Sequence, residues 1–117
     1  MQYLLMIYSN ELETAALGAD ALNAMTQEYT QFTKSIVQAG QLKAGDRLKP
    51  VSSASTVRVR NGKVLITDGP FAETREQLGG YYLVEAKNLD EALAIAGRIP
   101  GARYGSIEVR PIWTPAG

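Results

Sequence analysis

The stretch ITDGPFAETREQLGGYYLVEA, residues 66–86, contains this chain's densest cluster of residues that could do chemistry. Its first carboxylates belong to Asp68 and Glu73, and burial would raise the pKa of either one toward that of a general base working at neutral pH. A Gly-Gly pair and two tyrosines follow. We interpret the stretch as the wall of a ligand pocket, and the alternative is a solvated loop that only connects two strands.

The start of this stretch favours a rigid corner. Asp68 is expected to accept backbone N–H hydrogen bonds in an Asx-type turn. Gly69 tolerates almost any φ, whereas Pro70 has a fixed φ and no N–H, so together they hold Phe71 in a defined place. Asp68 is therefore a candidate catalytic residue. The candidate substrate-binding residues at the corner are Gly69, Pro70, Phe71 and Glu73.

Other candidates lie outside the corner. The phenol of Tyr29 could donate a hydrogen bond to a substrate oxygen, although a group with a pKa near 10 is a poor base at neutral pH. Arg58 and Arg60 could bind a carboxylate or an enolate in bidentate fashion. Tyr81 could line an aromatic pocket. The alternatives are core packing for the tyrosines and a solvated strand face for the arginines.

Composition excludes several classes of site. Without cysteine or histidine, the chain has no thiol nucleophile and lacks the commonest general base and the commonest transition-metal ligand. We therefore expect neither a metal nor a cofactor, and no phosphate loop or dinucleotide fingerprint is present. Twelve basic and twelve acidic residues cancel, so long-range attraction to nucleic acid is not expected.

The first residues, MQYLLMIY, are apolar, lack a basic leader and are far too few to cross a bilayer. This pattern predicts a cytoplasmic protein without a membrane segment.

Hydrophobic periodicity and turn residues predict the order β-α-β, an inserted hairpin, then β-α-β. Asp20 is expected to cap the first helix, Asn88 to cap the second, and Thr74 to begin a helical turn over residues 75–78. An Asn61-Gly62 turn of type I′ would pair Val59 with Val64 and Val57 with Ile66. The expected elements are strands at 3–8, 42–48, 56–60, 63–67, 81–86 and 106–113, and helices at 20–39 and from 88.

This element order is that of an α+β, ferredoxin-like βαββαβ domain with an inserted hairpin. We expect residues 1–117 to form one domain. Two helices cover only one face of such a sheet, yet residues 3–8 and 81–86 are apolar on both faces. A second copy covering the other face, and hence a homodimer, is the simplest solution.

Six segments spread over nearly the whole chain carry family motifs: MQYLLMIY, QAGQLKAGDRLKP, TVRVRNGKVLITDGPF, DGPFAETREQLGGYYLVEA, LDEALAIAGRIP and GSIEVRPIW. Together they resemble the DGPF-type branch of the YCII-related domain family. The resemblance implies a ferredoxin-like dimer in which two sheets close into an α+β barrel. It also implies a cleft near the dimer interface.

The resemblance says less about activity. In better-studied YCII-type relatives a histidine on the first helix and an aspartate are proposed as a catalytic pair. The position of that histidine falls on or near Tyr29, so the pair does not carry over. One relative is similar to lyase-like enzymes that remove chloride from chlorinated hydroxyquinols. Some DGPF-type proteins are encoded beside, or fused to, extracytoplasmic-function sigma factors.

Three functional hypotheses follow. The first is a small-molecule cleft, extending to a cofactor-free lyase or isomerase acting on an aromatic or enolisable substrate. In it Asp68 orients the substrate or takes a proton, Tyr29 donates a hydrogen bond, and an arginine holds the anionic end. The second is a non-enzymatic accessory or regulatory domain that contacts a protein such as a sigma factor. The third is a structural dimer module.

Overall fold

The computed structural model describes residues 1–115, so the last two residues of the predicted 1–117 domain lie outside the described part. Short 3₁₀ turns at Val51–Ser53 and Pro100–Arg103 join some of the elements. The strands and helices are β1 (Gln2–Ser9), α1 (Glu11–Ala15), α2 (Ala19–Gln38), β2 (Leu42–Arg47), β3 (Ser55–Arg60), β4 (Lys63–Asp68), β5 (Gln77–Glu85), α3 (Leu89–Gly97) and β6 (Ser106–Pro111).

Four strands form one antiparallel sheet in the order β2-β5-β1-β6, and β3 and β4 form a separate two-stranded sheet. The predicted α+β class is confirmed. The strand order, with β1 and β5 in the centre, is consistent with the predicted ferredoxin-like arrangement, in which β3 and β4 are the inserted hairpin.

The core lies between this sheet and the helices α2 and α3. Tyr3 and Leu5 of β1 and Val84 of β5 are buried against residues of both helices. The helical members of the core are Phe32, Ile36, Ala92, Ile95 and Ala96. Because side chains alternate along a strand, the residues between these strand positions point to the opposite side of the sheet.

The opposite side of the four-stranded sheet, called the open face below, carries no helix of the hydrophobic core. Met6 pairs with Tyr81, and Leu4 pairs with Leu83, so these four side chains share the open face. All four are partly exposed. The prediction of strands that are apolar on both faces is therefore confirmed for β1 and β5.

Of the caps predicted for the two main helices, one is confirmed and one is wrong. The Asn88 side chain accepts the Glu91 N–H at 3.0 Å, as predicted for α3. The prediction for Asp20 was wrong, because α2 begins at Ala19 and its N-cap is Gly18, which has no side chain to contribute. Asp20 lies in the first turn instead, where a negative charge still interacts favourably with the helix dipole. Asn10 caps the short α1.

The hairpin has the predicted register, with Val59 opposite Val64 and Val57 opposite Ile66. Asn61 and Gly62 have φ values of 52° and 74°, which a type I′ turn requires. The chain measures 48 × 47 × 19 Å, and its radius of gyration is 16.3 Å. A compact chain of this length would have about 13 Å. The molecule is therefore a thin plate, and the hairpin does not fold back over the open face.

The predicted helical turn at residues 75–78 was wrong, because β5 begins at Gln77. Antiparallel pairing of Gln77 and Leu78 with β1 stabilises this segment more than one isolated helical turn would. Gly79 is left without a partner in a β-bulge, where the register with β1 shifts between Ile7 and Tyr8. Gly80 brings the backbone of β2 close to β5.

The two adjacent glycines allow a matched stability test. A Cβ added at residue 80 would lie 2.9 Å from the Asp46 carbonyl oxygen, a backbone atom that cannot move away alone. We therefore expect Gly80→Ala to lower the free energy of unfolding by about 1–3 kcal/mol in a urea titration. A Cβ at residue 79 would meet its nearest neighbour, the Ile7 carbonyl oxygen, at 4.0 Å. Gly79→Ala should therefore be close to neutral, and equal losses in the two variants would contradict the close approach of β2 at Gly80.

Candidate functional site

The Asp-Gly-Pro-Phe corner is fixed by its backbone and is open to solvent. The Gly69 N–H donates to the Ala54 carbonyl at 2.7 Å, and the Thr56 hydroxyl donates to the Gly69 carbonyl at 2.8 Å. Gly69 has a φ of 98°, which favours glycine at this position. The expected Asx turn was wrong, because no donor among residues 1–115 bonds to the Asp68 carboxylate.

The corner leaves its side chains exposed. Asp68, Pro70 and Glu73 are exposed, and 78% of the Phe71 side chain is accessible. The predicted fixed position of the corner therefore applies to its backbone, while its carboxylates and aromatic ring lie open to solvent. The Asp68 carboxylate is available to a ligand or to another chain.

Tyr29 belongs to α2 and lies on the helix-covered side of the four-stranded sheet. Its hydroxyl accepts the Gly101 N–H at 3.1 Å, and its ring packs against the core. Burial of the phenol raises the pKa of Tyr29 above its ordinary value, although the Gly101 hydrogen bond opposes this change. Tyr29 is therefore an even weaker acid than a free tyrosine. Among the described residues no hydrogen bond joins it to Asp68.

Arg58 and Arg60 lie on one face of the hairpin together with Lys63 and Leu65. All four side chains are exposed, and Arg60 donates only to the neighbouring Val59 carbonyl, at 2.9 Å. Within the described part of the chain neither arginine forms an ion pair. The arginines therefore belong to a projecting cationic surface, away from Tyr29.

The best-defined polar contact on the open face joins Tyr81 to Asp46. The Tyr81 hydroxyl donates to Asp46 Oδ2 at 2.6 Å. This hydrogen bond to a carboxylate raises the pKa of Tyr81, because ionisation of the phenol would break the bond and place two negative charges side by side. Tyr81 was predicted as a site residue, whereas Asp46 was not.

A row of four side chains crosses the open face at this level. Asp46 pairs with Tyr81, Tyr81 with Met6, and Met6 with Glu108. Glu108 also contacts Arg110 two residues along the same strand. An aromatic ring and a thioether thus form an apolar floor with a carboxylate at each end. Such a floor suits a flat ligand that presents hydrogen-bond donors at its rim.

A surface groove of about 980 Å³ lies between α2 and the connection from α3 to β6. Arg98 stacks over the Phe32 ring at 5.5 Å and donates to the Ser35 hydroxyl, while Arg103 pairs with Glu28. Both guanidinium groups are already engaged, and no predicted site residue lines this groove. The groove therefore contributes nothing to the candidate site.

Two classes of feature were searched over residues 1–115. No three potential metal ligands come together in this part of the chain. None of its helices has both the length and the hydropathy needed to cross a bilayer.

Replacing Asp46 tests the polar pair directly. We expect Asp46→Asn to lower the pKa of Tyr81 toward its ordinary value of 10.0, because the amide carries no charge beside the phenolate. The pKa can be followed through the tyrosine ¹³Cζ resonance during an alkaline NMR titration, and Tyr81→Phe identifies that resonance. An unchanged titration in Asp46→Asn would show that the pair does not exist in solution.

Tyr29 makes the stability of the folded chain depend on pH. Because its pKa is raised in the folded chain, the unfolded chain loses the phenolic proton first, and stability falls as the pH rises above about 10. Tyr29→Phe should reduce this alkaline loss. At neutral pH it should lower the free energy of unfolding by about 1 kcal/mol, because the Gly101 N–H loses its acceptor. Urea titrations at neutral and alkaline pH measure both effects, and an identical alkaline loss in wild type and variant would contradict the assignment.

Two similarities to known proteins extend over nearly the whole chain. The YCII-related domain matches residues 1–115. A protein of Rhizobium meliloti (strain 1021), described as uncharacterised, is 38% identical over 114 residues, which cover 96% of this chain and 92% of that protein. With a domain match and a relative that both extend over nearly its full length, the chain belongs to the YCII-related domain family.

Proposed function

We propose that this chain is a DGPF-type member of the family and works as a homodimer, binding a small molecule between the open faces of two copies. One observation carries the proposal. The open face combines the partly exposed apolar side chains of Leu4, Met6 and Leu83 with the hydrogen-bonded pair Tyr81–Asp46. A polar pair on an otherwise apolar floor is the composition of a ligand site.

A second copy would make this floor into a chamber. Apolar side chains on a sheet face that stays in water do not gain the stabilisation that burial would provide. Two copies related by a twofold axis would each bury the same face, as in the barrel that the family resemblance implies. Their Tyr81–Asp46 pairs would then line one shared space, from which most water is excluded.

The chemistry proposed for this chamber follows from its groups. A flat aromatic or enolisable molecule would lie against Tyr81 and Met6, and a ligand hydroxyl would donate to Asp46. The enzymatic form of the proposal is a cofactor-free lyase or isomerase in which the Asp46 carboxylate takes a proton and Tyr81 holds that carboxylate in place. Catalytic roles for Asp68 and Tyr29 remain predictions. The hydrogen bond and raised pKa of Tyr29 favour a positioning role over proton transfer.

The alternative function is a non-enzymatic accessory or regulatory domain that contacts another protein, such as a sigma factor. The exposed apolar side chains of the hairpin favour this alternative, because apolar patches on a surface commonly mark protein interfaces. It makes no use of the Tyr81–Asp46 pair. Ligand binding that depends on this pair therefore separates the two functions.

Thermal shift with phenols, catechols and 2-oxo acids tests the proposal. A ligand at 100 times its Kd stabilises the folded state by about 2.7 kcal/mol, which raises Tm by several degrees in a chain of this size. We expect Tyr81→Phe and Asp46→Asn each to weaken binding about tenfold or more, because each removes one partner of the polar pair. Tyr104→Phe, an exposed tyrosine outside the open face, is the matched control.

Sedimentation of the same samples measures the oligomeric state. A dimer whose ligand shift survives in Tyr104→Phe and falls to about half or less in the two pair variants supports the proposal. A monomer at all concentrations, or a shift unaffected by both pair variants, contradicts it.

A further inference from the structure

The hairpin formed by residues 55–68, called the arm below, has two chemically different faces. Val57, Val59, Val64 and Ile66 share one face, and their exposed fractions are 61%, 58%, 64% and 71%. The other face carries Arg58, Arg60 and Lys63 around Leu65. A β-ribbon in water has no reason to separate its residues this way unless its apolar face is covered.

Nothing within the described chain supplies this cover. β3 and β4 pair only with each other, and the hydrogen bonds that tie the arm to the chain lie at its base, around Ala54 and Gly69. An isolated two-stranded hairpin is at best marginally stable in water, and it needs further strands or a packed layer for independent stability. The well-formed register of the arm therefore indicates a cover from outside this chain.

We infer that the apolar face of the arm docks on a second copy of this chain. The inference rests on the dimer of the proposed function and extends its interface beyond the ligand chamber. It assigns an interaction surface to an element that the chamber does not use.

Interface size favours a second copy over an unrelated partner. Stable protein interfaces bury about 800 Å² on each partner. Four aliphatic side chains provide only a fraction of that area, so the interface must continue onto another uncovered apolar surface of the same molecule. The open face is such a surface. A second copy could cover both the apolar face of the arm and the open face, because it carries the same two surfaces.

Charge and shape agree with this choice. The cationic face of the arm would repel its counterpart on another copy, whereas the apolar face has no charge and is compatible with itself. Because the molecule is only 19 Å thick, the arm extends outward within the plate. When two plates stack by their open faces, an arm that extends outward can reach the other copy without any change in the fold.

Neighbouring residues on β4 give a matched experiment. Ile66 and Leu65 are both exposed aliphatic residues, but Ile66 lies on the apolar face and Leu65 on the cationic face. We expect Ile66→Lys to weaken dimerisation at least tenfold in analytical ultracentrifugation, and Leu65→Lys to change it less than twofold. Circular dichroism checks that both variants fold, which their exposure favours.

Hydrogen exchange provides a second measurement on the unmodified protein. Amides of residues 56–67 should exchange more slowly as the protein concentration rises through the dimer Kd. Protection that rises with concentration, together with a loss of affinity in Ile66→Lys alone, supports the inference.

Two results would overturn the inference. The first is a dimer that is equally stable in wild type, Ile66→Lys and Leu65→Lys, with arm amides that exchange at the same rate at all concentrations. In that case the arm would bind a different protein. The proposed chamber would survive that result. A chain that stays monomeric at every concentration would overturn both proposals.

Discussion

A sheet with two apolar faces and helices on only one of them is the constraint on which the rest of this molecule depends. Tyr3, Leu5 and Val84 are buried under α2 and α3, while Leu4, Met6 and Leu83 point the other way and remain partly exposed. Alternation along β1 and β5 makes this unavoidable, because every second residue of a strand must leave the helical layer. The helices therefore bury the apolar residues on one face of the sheet and leave those on the other face partly exposed.

Two adjacent tyrosines of β5 point to opposite faces of the sheet. Tyr82 points to the helices, where it packs against the Phe32 ring and shares a hydrogen bond with the Thr33 hydroxyl. Tyr81 points to the open face and donates to Asp46. The same side chain at neighbouring positions is thus a core residue on one face and a polar contact in a candidate site on the other. In a chain without histidine or cysteine, acid–base chemistry has to use carboxyl, amino or phenol groups, and this pair supplies two of them.

Local patterns in the sequence predicted the elements well and the site only in part. The hairpin register followed from Asn61-Gly62, and the cap of α3 from Asn88, because both depend on residues close in the chain. The helical turn predicted after Thr74 failed, because pairing of the start of β5 with the distant strand β1 outweighed local capping. Asp46 was missed for the same reason. Its partner Tyr81 is 35 residues away, and only the pairing of β2 with β5 brings the two together.

The bulge at Gly79 has a consequence for how this family member can tolerate change in length. An extra residue between the corner and Tyr81 normally inverts the direction of every side chain beyond it. Here Gly79 has no partner on β1, so the side-chain alternation restarts at the bulge. The direction of the tyrosine side chains therefore does not depend on the number of residues between the corner and the bulge. A deletion or insertion of one residue at the bulge would therefore change the bulge itself. Tyr81 would still point to the open face and Tyr82 to the helices.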